Sequence, residues 1–412
     1  MPDVIVVATL DTKSREADFV ARELAAAGAS CRIVDIGVFT DPDTATRAAV
    51  SADEVTRRAG VDIETLRTGG EQDGARGRAL ETMARGLTEV LAEEHRSGRL
   101  GCVLGIGGSS GSSVVGTALQ ALPVGVPKLL VSTMASGDVS PYVGTRDVTL
   151  MYSVTDIAGL NRITRAVLRN AAWAAAGMAS GSVRPDDAAA DRSLVAISMF
   201  GVTTPAVMAV QEGIEALGFE TNVFHATGAG GRAMEDLVSD GLIDAVIDLT
   251  TSELTDELVG GVLSAGPDRM EAAGRAGIPQ ILIPGALEIV NFGAEPTVPA
   301  QFRVPERRLH VHNSAVTIVR TNVEESCELG RIFARKANLA TGPTVVMLPL
   351  RGLSALDAPG QPYEDVTADA ALFAEIRDGL RTDIPLVEVD AAINDPEFAR
   401  AVMEEFAKVA AR

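Results

Sequence analysis

The stretch CVLGIGGSSGSS, residues 102–113, changes character halfway along. Its first part is apolar and valine- and leucine-bearing, bounded by glycines, as in a short strand buried on both faces. Its second part is small and polar and leads into a helical pattern near Ser112–Leu122. A strand that opens through glycines into a helix is the unit from which parallel α/β sheets are assembled. The same unit recurs outward in both directions. DVIVVAT (3–9) precedes a helix from about Arg15 to Ala27, with Gly28 as its stop, and CRIVDIG (31–37) follows. PKLLVST (127–133), VTLMYSV (148–154) and a long helix over Ile157–Met178 continue the alternation. The pattern predicts an α/β protein whose first domain is a mostly parallel, Rossmann-like sheet flanked by helices.

Residues 41–100 interrupt this order with a helical insertion. Within it, SADEVTRRAGVDIETLR (51–67) has the outline of a helix-turn-helix, with Ser51 and Glu54 as a capping box and Gly60 at the turn. In an acidic chain, that segment is expected to be a helical cover over the sheet edge and not a DNA reader. GSVRPDDAAADRS (181–193) lacks periodicity and is rich in Gly, Pro and Asp, which places a linker at 184–192. The expected domains are therefore 1–183 and 193–412. The second restarts the alternation with SLVAISMF (193–200), TNVFHAT (221–227), LIDAVIDLT (242–250), IPQILIPG (278–285), AVTIVRTN (315–322), TVVMLPL (344–350) and PLVEVD (385–390), and ends in an amphipathic helix near Pro396–Ala411. A second Rossmann-like domain is expected there.

Composition narrows the function classes. A chain of 412 residues exceeds what one core usually serves. The net charge of -20 repels nucleic acid and anionic membranes, so an anionic ligand must be held by backbone N–H groups and a few placed cations. The three cysteines, Cys31, Cys102 and Cys327, have no zinc or disulfide spacing. The start of the chain has no basic leader, and no apolar run reaches the roughly 20 residues that cross a bilayer. A cytoplasmic protein is expected.

Ligands of open α/β sheets sit at the carboxyl ends of the strands. After the first strand, Asp11, Thr12 and Lys13 with Ser14 could hold a phosphate at a helix start, or simply cap it. Asp35 ends the second strand as a ribose acid or an ordinary loop acid. Gly107, Gly108 and Ser109 form the best phosphate cradle, since glycines admit close backbone approach and serines add donors; tight packing is the other reading. Ser132, Thr133, Gly137 and Asp138 would complete a wall, with Asp138 a ribose or magnesium contact. In the second domain, His225 stands at a strand end before Thr227, Gly228, Gly230 and Gly231, with Arg232 and Glu235 in the first helical turn. This arrangement suits an anion beside an acid or base, or a histidine held by capping bonds. Glu253 and Glu288 close the same edge. His310 and His312 share a strand face, without an evident third metal ligand.

At these loops the sequence resembles one family. ATLDTK (8–13), GIGGSSG (105–111), STMASGDVSPYVG (132–144), FGVTTP (200–205), FHATGAGGRAMEDL (224–237), PGALEIVNFG (284–293) and INDPEFA (393–399) carry the resemblance, as does the long run at 249–280. It is the ATP-binding domain family named for the tomato mosaic virus resistance protein. The resemblance implies two Rossmann-like domains, ATP or a related nucleotide at a cleft between them, and a homo-oligomer such as a dimer; magnesium is the expected companion of a bound polyphosphate. In the plant member, the domain binds a viral replication protein. Ser14 and Ala392 depart from the family pattern, which has glycine and histidine at those places. The leading expectation is a nucleotide-binding protein holding a phosphorylated small molecule. The alternative is an enzyme on a small phosphorylated or carboxylated metabolite, with His225 as acid or base and Arg232, Glu253 and Glu288 as its other working groups.

Overall fold

The computed structural model describes residues 3–68, 74–181 and 192–411. The chain divides at Ala188/Ala189 into two compact units. The expected linker, 184–192, lies outside the described residues except for Arg192.

In the first unit, strands β1 (Asp3–Ala8), β2 (Cys31–Asp35), β3 (Leu100–Gly107), β4 (Lys128–Ser132) and β5 (Thr149–Tyr152) form one sheet in the order β2-β1-β3-β4-β5. Every pairing is parallel. Alternation along the strands divides the core. Val4, Val6 and Ala8 face helices Leu10–Ala26 and Arg162–Gly181, while Ile5, Val7 and Val103 face the inserted segment. That segment, with helices Ala52–Arg58, Ile63–Thr68 and Ala75–Arg96, covers a face of the sheet, and its Val50 also bridges to Val34 of the edge strand β2. Val55, Ile63, Met83, Leu87 and Leu91 supply the buried side of the cover. The first helix starts at Leu10, five residues before the expected Arg15, because the polar run 11–14 is its first turn and not a loop.

The second unit has β6 (Leu194–Met199), β7 (Glu220–His225), β8 (Ala245–Thr250), β9 (Gln280–Gly285), β10 (Ile289–Phe292), β11 (Leu309–Val311), β12 (Thr317–Arg320), β13 (Thr344–Pro349) and β14 (Leu386–Val389). Six of these form a parallel sheet in the order β14-β13-β9-β8-β6-β7. Its first strand lies between its second and third, as in the first unit. Helices Thr204–Ala216 and Pro396–Ala410 cover one face through Val207, Val210, Phe398 and Phe406. Helices Ala229–Ser239, Val323–Ala337 and Val366–Gly379 cover the other. The strand expected at 315–322 joins a separate antiparallel sheet, β10-β12-β11, whose β10 lies where no strand was expected.

Candidate functional site

In the first unit the chain leaves β1 for β2 on one side of the sheet, while β3 lies on the other. Between the carboxyl ends of β1 and β3 the strand order reverses, and the loops diverge there to leave a crevice. A cavity of about 570 Å³ opens at that place. It brings together two strand-to-helix junctions nearly a hundred residues apart in sequence: Thr9, Asp11, Thr12 and Lys13 from one, and Gly108, Ser109, Ser110 and Gly111 from the other.

Each loop is shaped by identifiable contacts. Gly107 has no room for a side chain, since a Cβ there would come within 2.5 Å of the Ser112 nitrogen. Gly108 is different: a Cβ would meet nothing closer than the Thr133 Oγ1 at 4.0 Å, so this glycine leaves open space. Gly108 also starts helix Ser109–Gln120 without any side-chain cap, leaving first-turn N–H groups for a ligand. Ser112 and Ser132 are buried and joined by a 2.6 Å hydroxyl contact, which ties the loops after β3 and β4 together. The Thr133 nitrogen donates to the Gly107 carbonyl at 3.3 Å.

Asp35 is neither an exposed loop acid nor a free ribose contact. It is fully buried, and its Oδ1 accepts from the nitrogens of Leu10 (2.9 Å) and Gly37 (2.8 Å). Burial raises its pKa against those two donors. Asp11 accepts from the Phe39 nitrogen at 3.3 Å, so the helix is not capped by its own side chains at 11–14. Lys13 lines the cavity and donates through Nζ to the Ile157 carbonyl at 3.1 Å. Gly137 and Asp138 do not line it. Asp138 accepts from the Ser140 nitrogen and hydroxyl, bonds that hold its pKa below the ordinary value.

The insertion contributes what sequence reasoning missed. Arg76 lines the cavity and donates to the Ser110 hydroxyl at 2.7 Å. Val38, Phe39, Leu66 and Leu80 add an apolar part to the lining, and Phe39 is 67 % exposed. Arg76 lies in a segment whose helical period signalled only a cover. The pairing of an arginine with a serine 34 residues away carries no local sequence signal.

The second unit repeats the topology but fills the corresponding reversal with its own side chains. The Ser198 hydroxyl donates to Asp248 Oδ1 at 2.6 Å, and the Thr203 and Thr250 hydroxyls meet at 2.7 Å. Arg269 is completely buried and forms a fork on Asp248 at 2.5 and 2.7 Å. Its Nε donates to Glu253 Oε2 at 2.6 Å. Glu253 Oε1 in turn accepts from the nitrogens of Gly228 (2.6 Å) and Gly231 (3.1 Å). The glycine turn expected to receive a ligand anion thus holds an internal carboxylate. Gly231 is required by that contact, since a Cβ would lie 2.0 Å from Glu253 Oε2. Burial works against the Arg269 charge, and Asp248, Glu253 and Glu235 outweigh it, leaving the guanidinium firmly protonated.

The remaining candidates of this unit are dispersed. His225 is exposed and meets the Phe200 ring edge-on at 5.7 Å, while Thr227 donates to the His225 carbonyl. Arg232 is exposed and donates to the Ser264 carbonyl at 2.8 Å, and Gly230 is packed against the His225 carbonyl. Glu253 and Glu288 are both buried, which removes them from any open site beside His225. His310 and His312 are exposed. Asn394, in INDPEFA, donates to the Val202 carbonyl and accepts from the Ala206 nitrogen, so this motif fastens the FGVTTP loop.

Two matches account for nearly the whole chain. The N-terminal domain of the Uncharacterised protein family (UPF0261) matches residues 2–184, and its C-terminal domain matches residues 192–410. A UPF0261 protein of Clostridium tetani is 41% identical over 403 residues, covering 98% of this chain and 97% of its own length. A UPF0261 protein of Rhizobium meliloti is 40% identical over 418 residues, covering 100% of both. The ToMV resistance protein Tm-1(GCR237) of Solanum lycopersicum is 37% identical over 422 residues, covering 99% of this chain but 56% of the tomato protein. With both domains matched in order and relatives aligned end to end, the chain belongs to the UPF0261 family.

Proposed function

We propose that the first unit binds a nucleotide, with ATP as the favoured ligand. One observation carries this reading: a cavity at the β1/β3 reversal is lined by an uncapped helix start, by Lys13 and Arg76, and by apolar side chains. Uncapped N–H groups at Ser109–Gly111, with Lys13 and Arg76, would take the phosphates. Val38, Phe39, Leu66 and Leu80 would take the base. A volume of about 570 Å³ lies in the ordinary range for small-ligand pockets. Asp11, at the same mouth, is the carboxylate available to an accompanying magnesium ion. The donor set fits a phosphate ester better than a carboxylate, because uncapped helix-start N–H groups and two side-chain cations line the same cavity. The family resemblance, which implies ATP, supports the same ligand.

Thermal unfolding with ATP, ADP or inorganic phosphate, with and without magnesium, tests this reading. A ligand at about 100 times its Kd stabilises by roughly 2.7 kcal/mol, enough for a clear upward shift. Gly108→Val projects a side chain into the open space above the cradle. It is expected to leave the unliganded transition unchanged while abolishing the shift. Absence of a shift at millimolar nucleotide, or an undiminished shift in Gly108→Val, would overturn the assignment.

A further inference from the structure

Lys13 lines the cavity of the first unit without a carboxylate to answer its charge. Among the described residues, its ammonium donates to one partner, the Ile157 carbonyl at 3.1 Å, 144 residues along the chain. The backbone breaks helical geometry at the same residue, with φ −130° and ψ 22° inside helix Leu10–Ala26.

The carbonyl that Lys13 holds belongs to a short strap, residues 153–159, which follows β5. The strap begins under strain. The Thr155 nitrogen donates to the Ser153 carbonyl at 2.7 Å, closing a three-residue turn around Val154 at φ 67°. This is the rare hand of the γ-turn, and a β-branched side chain resists a positive φ. Val154 is 57 % exposed, so burial of its side chain does not offset the cost. Beside it, the Thr155 hydroxyl oxygen is buried and has no hydrogen-bond partner, a second unfavourable feature of the same turn. A turn with these two features must be held from its ends. At the start, the Ser153 nitrogen donates to the Ser132 carbonyl at 3.2 Å, and the Ser132 hydroxyl meets that of Ser112 in helix Ser109–Gln120. At the far end, Ile157 is buried, Lys13 holds its carbonyl, and the Gly159 nitrogen donates to Glu16 Oε1 at 2.6 Å. The strap is thus tied, at one end through Ser132 and at the other directly, to the two helices whose first turns line the cavity.

We propose that the strap senses occupancy of the cavity: a bound phosphate draws the Lys13 ammonium off the Ile157 carbonyl, and the strained turn at Val154 relaxes. The inference rests on the nucleotide reading above and adds a regulatory consequence to it. A phosphate outcompetes a carbonyl for the ammonium, because charge-assisted hydrogen bonds are shorter and stronger than those to neutral groups. With that fastening gone, the strain at Val154 and the unpaired Thr155 hydroxyl both favour rearrangement. The change is delivered at a rim of the sheet. β5 is its outermost strand on that side, and Tyr152 and Val154 are exposed where it ends.

Hydrogen exchange on the full chain, with and without millimolar ATP and magnesium, tests this, with thermal unfolding of the same samples as a separate measure of binding. Bound ATP is expected to accelerate exchange over residues 153–159 by about tenfold while residues 109–112 slow. Lys13→Met should show the fast strap already without nucleotide. Val154→Gly, which relieves the turn, should raise the unliganded midpoint by about 2–4 °C and reduce the acceleration by ATP. A thermal shift accompanied by unchanged or slowed exchange at 153–159 would overturn the strap and leave the nucleotide reading standing. No thermal shift would overturn that reading, and the strap with it. Unaltered strap exchange in unliganded Lys13→Met, or a lowered midpoint in Val154→Gly, would each overturn the strap alone.

Discussion

Gly107 and Gly108 are neighbours with opposite reasons to be glycine. The first is enclosed by the backbone of Ser112, and the second faces open space. In sequence the two are indistinguishable, so the run 105–112 announces a glycine turn without telling which residue leaves open space. The same limit applied to Gly228 and Gly231. Their turn was readable as an anion site, but the anion is Glu253, from the helix after the next strand. No spacing rule connects residue 253 to residue 228, and a glutamate in a strand-to-helix loop looks exposed until its partner Arg269 is placed. The consequence is a stability prediction. Glu253→Ala leaves Arg269 with fewer counter-charges and two buried N–H groups without an acceptor. It should cost about 3–5 kcal/mol in urea unfolding, as breaking a buried ion pair does. A cost below about 1 kcal/mol would mean that water or a solute anion had taken the place of the carboxylate.

Among the elements, strands of the two parallel sheets were the readable part. Their valine-rich runs, such as VIVV at 4–7 and VVML at 345–348, fit burial on both faces. Partner direction was not readable. TIVR (317–320) has the same composition, yet pairs antiparallel with β10 and β11, because periodicity identifies a strand without naming its neighbour. That small sheet matters because β12 ends in Arg320, which joins it to helix Val366–Gly379 through Asp369. The junction should be sensitive to pH. Asp369, Asp357 and Glu288 all have folded pKa values raised above their ordinary range, to about 8, about 7 and about 7. Protons bound in the folded state stabilise it fully below about pH 4, where the unfolded carboxyls are also protonated, and that contribution is lost as pH rises through 7 to 8. Hydrogen exchange over residues 317–320 and 366–379 should accelerate between about pH 6 and about pH 8.5 beyond the chemical rate of exchange, and Asp369→Asn should suppress the acceleration. Exchange that follows the chemical rate alone would show that the cluster does not titrate there.

At the scale of the molecule, the same strand order is used twice. In each unit, the first strand lies between the second and third, which puts a reversal beside it. Among the described residues, each hydrophobic cluster is built within one unit. Residues 1–188 and 189–412, expressed separately, are therefore expected to fold, each with a cooperative thermal transition. The first half alone should be stabilised by nucleotide. Loss of cooperativity in either half, or a nucleotide shift in the second, would contradict this division. The division follows from the one carboxylate that the second unit places in its own glycine turn. A tethered group competes at an effective concentration that is millimolar or higher even on a loose tether. Glu253 is held far more rigidly than that, so a dissolved phosphate faces a competitor that cannot be diluted. Raising the nucleotide concentration should therefore saturate a single glycine-loop site per chain, however closely the two halves resemble each other in outline.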